Sequence, residues 1–251
     1  MSTPYIAVIP ARLASTRLPR KPLADIGGAP MVVRVAQQAA KSKASRILVA
    51  TDSEEIVDVC KSYSIEALLT SATHPTGTDR LSEVVQMLQL SKDEIIVNVQ
   101  GDEPFIPPSM IDAVANALAK FPECAISTGA VKITDDLESQ SPHAVKVVQN
   151  IRGEALYFSR ARIPYERDPK LFSAPYLRHL GIYAYKVSFL QDFAHLPPAP
   201  IEQIEALEQL RALYNGYKIY VEVFDETPPP GIDTPEDLLH AQLKWQQLHQ
   251  K

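Results

Sequence analysis

The sequence predicts an α/β protein in which a mixed, mostly parallel sheet is flanked by helices. Short apolar runs of strand type alternate with segments of helical periodicity through the first half of the chain. The helical segments are long enough to connect parallel strands in right-handed βαβ units. The second half is less regular but contains further strand-like runs. In sheets of this kind ligands bind beyond the carboxyl ends of the strands, which directs attention to the loops that follow them.

The elements of the first half follow from their local patterns. Strands are predicted over residues 5–10, 47–50, 67–70 and 95–99, and helices over 31–42, from 52, over 79–90 and from 107. Val32, Val35 and Ala36 recur on one helical face. Asp52 with Glu55 predicts a capping box, in which side chains satisfy the free amides at a helix start. Prolines at 107 and 108 are typical of a first helical turn.

The second half predicts four more strands and two helices. The strands are expected over residues 144–148, 155–158, 179–186 and 217–224. One long helix is expected after Pro200, with an apolar face formed by Ile201, Ile204, Leu207 and Leu210. Thr234 followed by Pro235 predicts the start of the last helix. We find no repeat, low-complexity stretch or linker that divides residues 1–251, which predicts a single domain.

Composition excludes several classes of function. The net charge of −5 argues against a non-specific nucleic-acid binder. The apolar runs are far shorter than the roughly 20 residues that span a bilayer, and the run at residues 5–9 is too short for a secretion signal. Cys60 and Cys124 are the only cysteines and lack paired spacing, which predicts buried thiols in a reducing, cytoplasmic compartment rather than a disulfide or zinc site.

A basic loop follows the first predicted strand. It carries Arg12, Arg17, Arg20 and Lys21, four cations within ten residues of an acidic protein. Guanidinium groups bind phosphate oxygens in a bidentate way, and Ser15 adds a hydroxyl donor, so the loop suits a polyphosphate. Neither the Walker pattern nor the dinucleotide glycine fingerprint is present. A solvated basic loop is the alternative interpretation.

Two acidic residues are candidate magnesium ligands. Asp102 follows Gly101 at the end of the most apolar predicted strand, and Mg²⁺ usually takes only one or two protein carboxylates. Asp233 lies just before a helix, where it could instead complement the helix dipole. The alternative interpretation of Asp102 is an acidic residue exposed in a surface turn.

A second polar group is spread over the latter half. It comprises Arg160, Arg162, Arg167, Arg178, His179, Tyr183 and Tyr185. Their cationic and hydroxyl groups suit the binding of an anionic, polyhydroxylated molecule. The alternative interpretation is that they form surface or interface salt bridges. Glu202, Glu205 and Glu208 are expected to form a solvated acidic face of the long helix, with Arg211 within ion-pair reach of Glu208.

Taken together, the motifs resemble the 3-deoxy-manno-octulosonate (Kdo) cytidylyltransferase family. The matching stretches are IPARLASTRLPRKPL, VATD, TGTDRL, IVNVQGDEP, VKVV, ALYFSRARIPY, RHLGIYAY, EALEQLR and GIDTPEDL. The resemblance implies a Rossmann-related fold like that of nucleotide-diphospho-sugar transferases, with a smaller acceptor and dimerisation subdomain at about residues 125–190. It also implies a cytoplasmic homodimer that needs Mg²⁺ and transfers CMP from CTP to Kdo for lipopolysaccharide biosynthesis, without nucleic-acid or membrane partners.

The resemblance also assigns roles to individual residues. Arg12, Ser15 and Lys21 resemble the residues that bind the triphosphate in this family. Gly77, Thr78 and Arg80 resemble a loop that is associated with the nucleotide. Asp102 and Asp233 resemble a magnesium-binding pair, and with Arg12 and Lys21 they form the expected catalytic set. The residues that resemble a sugar-acid site are Gln100, Arg160, Arg167, His179, Tyr183, Glu208 and Gln209.

This chain departs from the family pattern in two places. Arg20 replaces the usual glycine before the loop lysine, and the segment between Arg167 and Arg178 is short.

Other functions also remain open at this point: a nucleotidyltransferase acting on a sugar 1-phosphate, a glycosyltransferase that uses a nucleotide sugar, or a non-catalytic nucleotide-binding module. The single Asp102–Glu103 pair after Gly101 lacks the two acids flanking one residue that would be typical of a glycosyltransferase.

Overall fold

The computed structural model describes residues 3–74, 76–168 and 176–249. Its strands are β1 Ile6–Ala11, β2 Arg46–Thr51, β3 Glu66–Leu69, β4 Ile95–Asn98, β5 Ile126–Lys132, β6 Lys146–Gln149, β7 Ala155–Ser159, β8 Leu177–Lys186 and β9 Ile219–Phe224. Its α-helices are α1 Met31–Ala39, α2 Glu54–Ser62, α3 Gly77–Met87, α4 Pro108–Lys120, α5 Asp136–Gln140, α6 Val187–Phe193, α7 Pro200–Glu205, α8 Gln209–Tyr214 and α9 Pro235–His249. A short 3₁₀ turn covers Lys21–Leu23.

The described strands form one mixed sheet. Its main path runs β3-β2-β1-β4-β8-β5-β9. The first four strands are mutually parallel, as are β5 and β9, whereas β8 is antiparallel to both β4 and β5. The predicted mixed, mostly parallel α/β sheet is therefore confirmed along this path.

Both faces of the sheet are covered by helices, and β1 is apolar along its whole length. On β1, Ala7 and Ile9 belong to the core on one face, while Ile6 and Val8 belong to the core on the other. This alternation is the two-residue period of a strand buried on both sides. A third, smaller cluster beneath α9 contains Leu18, Ile26, Met31, Ile232 and Ala241.

A hairpin lies beside the main path of the sheet. Strand β6 pairs with β8, and β7 pairs with β6. The range 125–190 thus includes β5 and β8 of the main path as well as this hairpin, and its role in dimerisation stays a prediction. Across the described residues, no helix has the length and apolar character needed to cross a membrane.

Two predictions about helices are wrong. The expected long helix after Pro200 is two short helices, α7 and α8, because Ala206 adopts a left-handed conformation between them. Ile204, placed on the buried face by its spacing, is 83% exposed. Asp52 does not cap α2, whose N-cap is Ser53 without a side-chain hydrogen bond. The Asp52 carboxylate is turned instead toward the basic loop and Arg80.

Candidate functional site

A polar cleft of about 790 Å³ lies beyond the carboxyl ends of β1 and β4. Its walls are Pro10, Ala11, Arg12, Ala14, Ser15, Thr16, Arg17, Lys21, Pro22, His74, Thr76, Gly77, Arg80, Gln100, Gly101, Asp102 and Asp233. The structure therefore brings the basic loop, the start of α3 and both candidate magnesium ligands to one cavity. A ligand site was predicted at this edge of the sheet, beyond the carboxyl ends of the strands.

A close backbone contact joins the loops after β1 and β4. A Cβ at Gly101 would lie 2.6 Å from the carbonyl oxygen of Pro10, which no other residue type can accommodate without a shift. Glycine is therefore required where the end of β1 and the segment after β4 pass each other. The contact places Gln100 and Asp102 directly against the basic loop.

Lys21 is held between two carboxylates. Its Nζ lies 2.6 Å from Asp102 Oδ2 and 3.0 Å from Asp233 Oδ1. Arg17 also reaches Asp233 Oδ1, at 3.0 Å, and Ile232 N–H donates to the carbonyl of Asp102 at 2.9 Å. Desolvation disfavours the Lys21 ammonium, but the charges and hydrogen bonds of the two aspartates outweigh it and raise its pKa. Lys21 is therefore a cation throughout the neutral range.

The two aspartates fit a hard divalent cation. Their carboxylates converge on a single positive charge, the Lys21 ammonium, and carboxylate oxygens are the ligands that Mg²⁺ prefers. Within the described ranges, no group of three or more His, Cys, Asp or Glu side chains is arranged to hold a metal. A two-carboxylate site leaves most of the Mg²⁺ coordination sphere to phosphate oxygens and water, which is the usual arrangement with nucleotides.

Glu103 follows Asp102 in the chain, and its carboxyl group is desolvated. Desolvation, with a further contribution from the Asp102 charge, raises the pKa of Glu103 to about 8. The Glu103 carboxyl therefore retains its proton to a higher pH than an ordinary glutamate.

The start of α3 forms the opposite wall. Thr76 Oγ1 accepts a hydrogen bond from Asp79 N–H at 3.1 Å and caps the helix, while Gly77 and Arg80 line the cleft. A helix N-terminus attracts anions. Arg80 is buried and fixed by Asp52 Oδ2 at 3.1 Å and by Thr70 Oγ1. Asp52 Oδ1 also accepts from Leu13 N–H at 3.3 Å, so this acid ties the basic loop to Arg80.

The sequence interpretation missed His74, which also lines the cleft. Its Nε2 lies 2.5 Å from Glu83 Oε2, and the same oxygen accepts from Ser71 N–H at 2.8 Å. The missed signal was the nine-residue spacing between His74 and a glutamate on the following helix, which local patterns do not pair.

A second polar cluster adjoins the cleft through α3. Thr78 Oγ1 donates to Glu208 Oε1, and Gln100 Nε2 donates to the carbonyl of Gly181 at 2.9 Å. Desolvation raises the pKa of Glu208, and hydrogen bonds from Thr76 and Thr78 only partly offset it. Glu208 is therefore tied to the first turn of α3, and Gln100 connects the cleft to strand β8.

Strand β8 contributes aromatic side chains to this cluster. His179 Nε2 lies 2.9 Å from Thr128 Oγ1, and the His179 and Tyr183 rings are 5.3 Å apart. Desolvation lowers the pKa of His179 to about 3 and raises that of Tyr183 well above its ordinary value. Both groups are therefore neutral near pH 7, so they can offer hydrogen bonds but no charge.

Unpaired polar atoms mark the same region. Gln209 Nε2 and Asn98 Oδ1 are buried, and neither has a hydrogen-bond partner among the described residues. Buried polar atoms in native proteins nearly always have a partner. Gln209 follows Glu208 in the chain, so its unpaired amide nitrogen lies next to a member of the second polar cluster.

The two arginines predicted for the sugar-acid site lie outside the cleft. Arg160 donates from Nε to the carbonyl of Glu205 at 2.7 Å and from Nη1 to the carbonyl of Pro142 at 3.0 Å. Arg167 is exposed and does not line the cleft. The structure therefore does not bring Arg160 or Arg167 into the cavity with the basic loop.

The expected solvated acidic face is also wrong. Glu202 is buried and pairs with Arg211 through two contacts of 2.6 and 2.9 Å, so Arg211 does not pair with Glu208 as expected. Glu205 accepts hydrogen bonds from Ser159 and Arg160, and Glu208 accepts from Thr78. The break at Ala206 rotates these acids away from the single face that a continuous helix would give them.

Arg20 has a backbone conformation that suits the glycine expected at its position from the family resemblance. Its φ is 56°, in the left-handed region, where a side chain costs roughly 1 kcal/mol. In this chain the guanidinium forms an exposed ion pair with Glu55, which is worth little in water.

We expect Arg20→Gly to leave CTP-dependent activity within about twofold of wild type, because relief of the left-handed strain offsets the lost ion pair. Steady-state rates and thermal unfolding would measure this, with Glu55→Gln as the control that removes the ion pair alone. A loss of activity in Arg20→Gly but not in Glu55→Gln would assign a direct role to Arg20.

Comparison with known proteins shows the family of this chain. A family model described as cytidylyltransferase matches residues 6–219. A 3-deoxy-manno-octulosonate cytidylyltransferase from Polynucleobacter asymbioticus is 61% identical over 235 residues, covering 93% of this chain and 92% of the relative. The chain belongs to the 3-deoxy-manno-octulosonate cytidylyltransferase family. A relative of the same name from Polynucleobacter necessarius is 60% identical over the same length.

Solved structures agree with this family membership. The structure of a CMP:2-keto-3-deoxy-manno-octonic acid synthetase complexed with CTP matches with a TM-score of 0.92 and 38% identity, covering 98% of this chain and 100% of that one. A cytidylyltransferase from Leptospira borgpetersenii, with a TM-score of 0.60 and 17% identity over 95% of this chain and 84% of its own, shares the fold. The family resemblance and fold class predicted from the motifs are confirmed.

Proposed function

We propose that this enzyme transfers CMP from CTP to the anomeric hydroxyl of Kdo, forming CMP-Kdo and releasing pyrophosphate. The observation that carries the proposal is the convergence of Asp102, Asp233 and Lys21 in a cleft that also holds the basic loop and the start of α3. The named relatives and the CTP complex of the solved neighbour support the choice of substrates.

The two parts of the site divide the substrates. Arg12, Ser15, Lys21 and the start of α3 offer cations, a hydroxyl and helix amides, which suit the triphosphate. The cluster beside it offers Gln100, Glu208, Gln209 and neutral rings, which suit a molecule with many hydroxyls. The anomeric hydroxyl would lie at their junction, where Gln100 and Asp102 are two residues apart.

The reaction needs alignment and charge neutralisation more than covalent help. The hydroxyl oxygen attacks the α-phosphorus, a phosphorus–oxygen bond forms on that side, the bond to pyrophosphate breaks on the other, and the hydroxyl proton is released to solvent. Lys21 and Arg12 neutralise the charge that grows on the departing pyrophosphate. Asp102 and Asp233 would hold Mg²⁺, which supplies Lewis-acid charge to the phosphate oxygens.

The cellular location, the oligomeric state and the biosynthetic pathway are also part of the proposal. A cytoplasmic location, a homodimer formed through the β6–β7 region and a place in lipopolysaccharide synthesis follow from the family resemblance. Several exposed apolar side chains of this part, including Leu137, Leu156 and Tyr165, are consistent with a protein–protein contact.

A direct assay tests the activity. We expect pyrophosphate release and CMP-Kdo formation only when CTP, Kdo and Mg²⁺ are all present, and loss of both on chelation by EDTA. Glucose 1-phosphate and mannose 1-phosphate should give essentially no turnover, because a site built to pair the hydroxyls of one acceptor strongly rejects a molecule that cannot make the same pairs. Efficient use of a sugar 1-phosphate would overturn the acceptor, and binding of CTP without turnover would favour a regulatory module.

A further inference from the structure

The turn between α7 and α8 is unusual. Ala206 has φ 50° and ψ 51°, a left-handed conformation that is unfavourable for a residue with a Cβ. Such a backbone persists only when its surroundings impose it. Glu208, the N-cap of α8, and Gln209, its first residue, follow this turn by two and three positions. Their placement therefore depends on what fixes Ala206.

Arg160 and Glu205 fix this turn reciprocally. Arg160 Nε donates to the carbonyl of Glu205 at 2.7 Å, and its Nη2 donates to the carbonyl of Ala206 at 3.3 Å. In return, Glu205 Oε2 accepts from Arg160 N–H at 2.9 Å, and Oε1 accepts from Ser159 Oγ at 2.6 Å. Each side chain thus binds the other residue's backbone. We call these four hydrogen bonds the Arg160–Glu205 clamp.

A buried lysine anchors the other side of the clamp. Lys146 is fully buried, and its Nζ donates to the carbonyls of Arg160 at 2.7 Å, Ser141 at 2.7 Å and Ala144 at 2.5 Å. A buried ammonium is costly unless it is fully hydrogen-bonded, and here three carbonyls satisfy it. The backbone of Arg160 is therefore held from the hairpin side while its side chain holds the α7–α8 turn.

The chain of contacts ends at Thr78, which is buried and is not among the residues that line the nucleotide cleft. Glu208 accepts from Thr78, which lies in the first turn of α3 between the cleft residues Gly77 and Arg80. A displacement of the α7–α8 turn would therefore move Glu208 and Gln209 while leaving the basic loop and the aspartate pair in place. The predicted consequence is selective for the acceptor half of the site.

We propose that Glu205 is a positioning residue for the acceptor, acting with Arg160 to set the turn that presents Glu208 and Gln209. Arg160 then serves the acceptor through the backbone of residues 205 and 206, and not as a direct contact to the sugar acid. This proposal rests on the proposed function, because it assumes that the cluster beside α8 receives Kdo.

Kinetics of Glu205 and Arg160 variants test the proposal. We expect Glu205→Ala to raise the KM for Kdo about tenfold, the effect of losing roughly one well-placed hydrogen bond, with little change in the KM for CTP. Glu205→Gln should stay near wild type, because its amide can accept from Arg160 N–H and donate to the Ser159 hydroxyl, which can reverse its direction. Arg160→Met should show the same selective defect, and the double variant Glu205→Ala/Arg160→Met should be scarcely worse than either single variant.

Several outcomes would overturn the proposal. Equal rises in both KM values, or none, would remove the selective effect. A defect in Glu205→Gln as large as in Glu205→Ala would assign Glu205 a chemical role. Additive losses in the double variant would return Arg160 to direct contact with the sugar acid. If Glu205→Ala does not fold, Arg160→Met and Glu205→Gln decide the matter, and Glu66→Gln, which breaks the exposed pair with Arg46, is the matched control.

Hydrogen exchange separates this proposal from the proposed function. Amides of residues 207–214 should exchange faster in Glu205→Ala than in wild type, while those of β1 and β4 should be unchanged. This measurement needs no substrate. Wild-type enzyme that fails to use Kdo would refute the acceptor while leaving the clamp testable, whereas unchanged exchange in residues 207–214 would refute the clamp itself.

Discussion

Asp102→Asn and Asp233→Asn should each lower kcat for CMP transfer by roughly 10³-fold or more, the scale expected when a preorganised charge at a phosphoryl centre is lost. The two carboxylates share one cation, with Lys21 Nζ at 2.6 and 3.0 Å, and together they provide the site proposed for Mg²⁺. An asparagine keeps the shape of either side chain but removes the charge. The expected loss is in kcat, measured as pyrophosphate release at saturating CTP and Kdo.

The double variant distinguishes a shared site from two separate ones. Residues that act as one unit lose activity non-additively, so Asp102→Asn/Asp233→Asn should be scarcely slower than either single variant. Asp225→Asn, at an exposed position outside the cleft, is the matched control and should be silent. Modest, additive losses would return Asp102 to a surface turn and Asp233 to a helix-dipole role.

Local patterns predicted the first half of the fold because strands and helices there alternate in a simple order. Strands β1 to β4 and helices α1 to α4 occupy nearly the expected residues. The insertion of β8 between β4 and β5 was beyond such patterns, because the residue pairs of β4 and β8 are about 80 positions or more apart in the chain. Hydrophobic periodicity identifies a strand but does not specify its distant partner.

The break at Ala206 shows the same limit at the scale of one residue. The spacing of Ile201, Ile204, Leu207 and Leu210 fits a continuous helix, and alanine is the best helix former. The left-handed turn is held by Arg160, 46 residues earlier in the chain. Since no local residue encodes it, the sequence interpretation placed Ile204 on the buried face and Glu205 on a solvated face.

For the site, the sequence identified the groups but not their contacts. The basic loop and Asp102 could be assigned to one sheet edge because each follows a strand of the parallel sheet. Asp233 was the weaker candidate from local sequence, since it precedes a helix far along the chain, and the family motif supported its pairing with Asp102. That Lys21 would lie between the two aspartates, and that Asp52 would hold Arg80, are tertiary facts without a local signal.

Lys21→Met should lower kcat by about 10²-fold or more while changing the KM for CTP far less. The negative charge on pyrophosphate grows as the phosphorus–oxygen bond breaks, so the ammonium stabilises the transition state more than bound CTP. Methionine preserves the apolar stem of lysine, which limits any packing defect. Steady-state kinetics with varied CTP at saturating Kdo would measure both constants, and a rise in the KM for CTP with unchanged kcat would make Lys21 a binding residue only.

The same variant should bind divalent cations more tightly when nucleotide is absent. In the free protein the Lys21 ammonium lies between Asp102 and Asp233, whose charges raise its pKa, and it competes with a metal ion for the same oxygens. Removing it leaves two carboxylates whose mutual repulsion a divalent cation relieves. Titration with Mn²⁺, followed by electron paramagnetic resonance, should give a lower Kd for Lys21→Met than for wild type, and Lys21→Met/Asp102→Asn should lose that gain. An unchanged Kd in Lys21→Met would mean that metal and ammonium do not share these oxygens, and the aspartate pair would then have to act on the nucleotide through Lys21 alone.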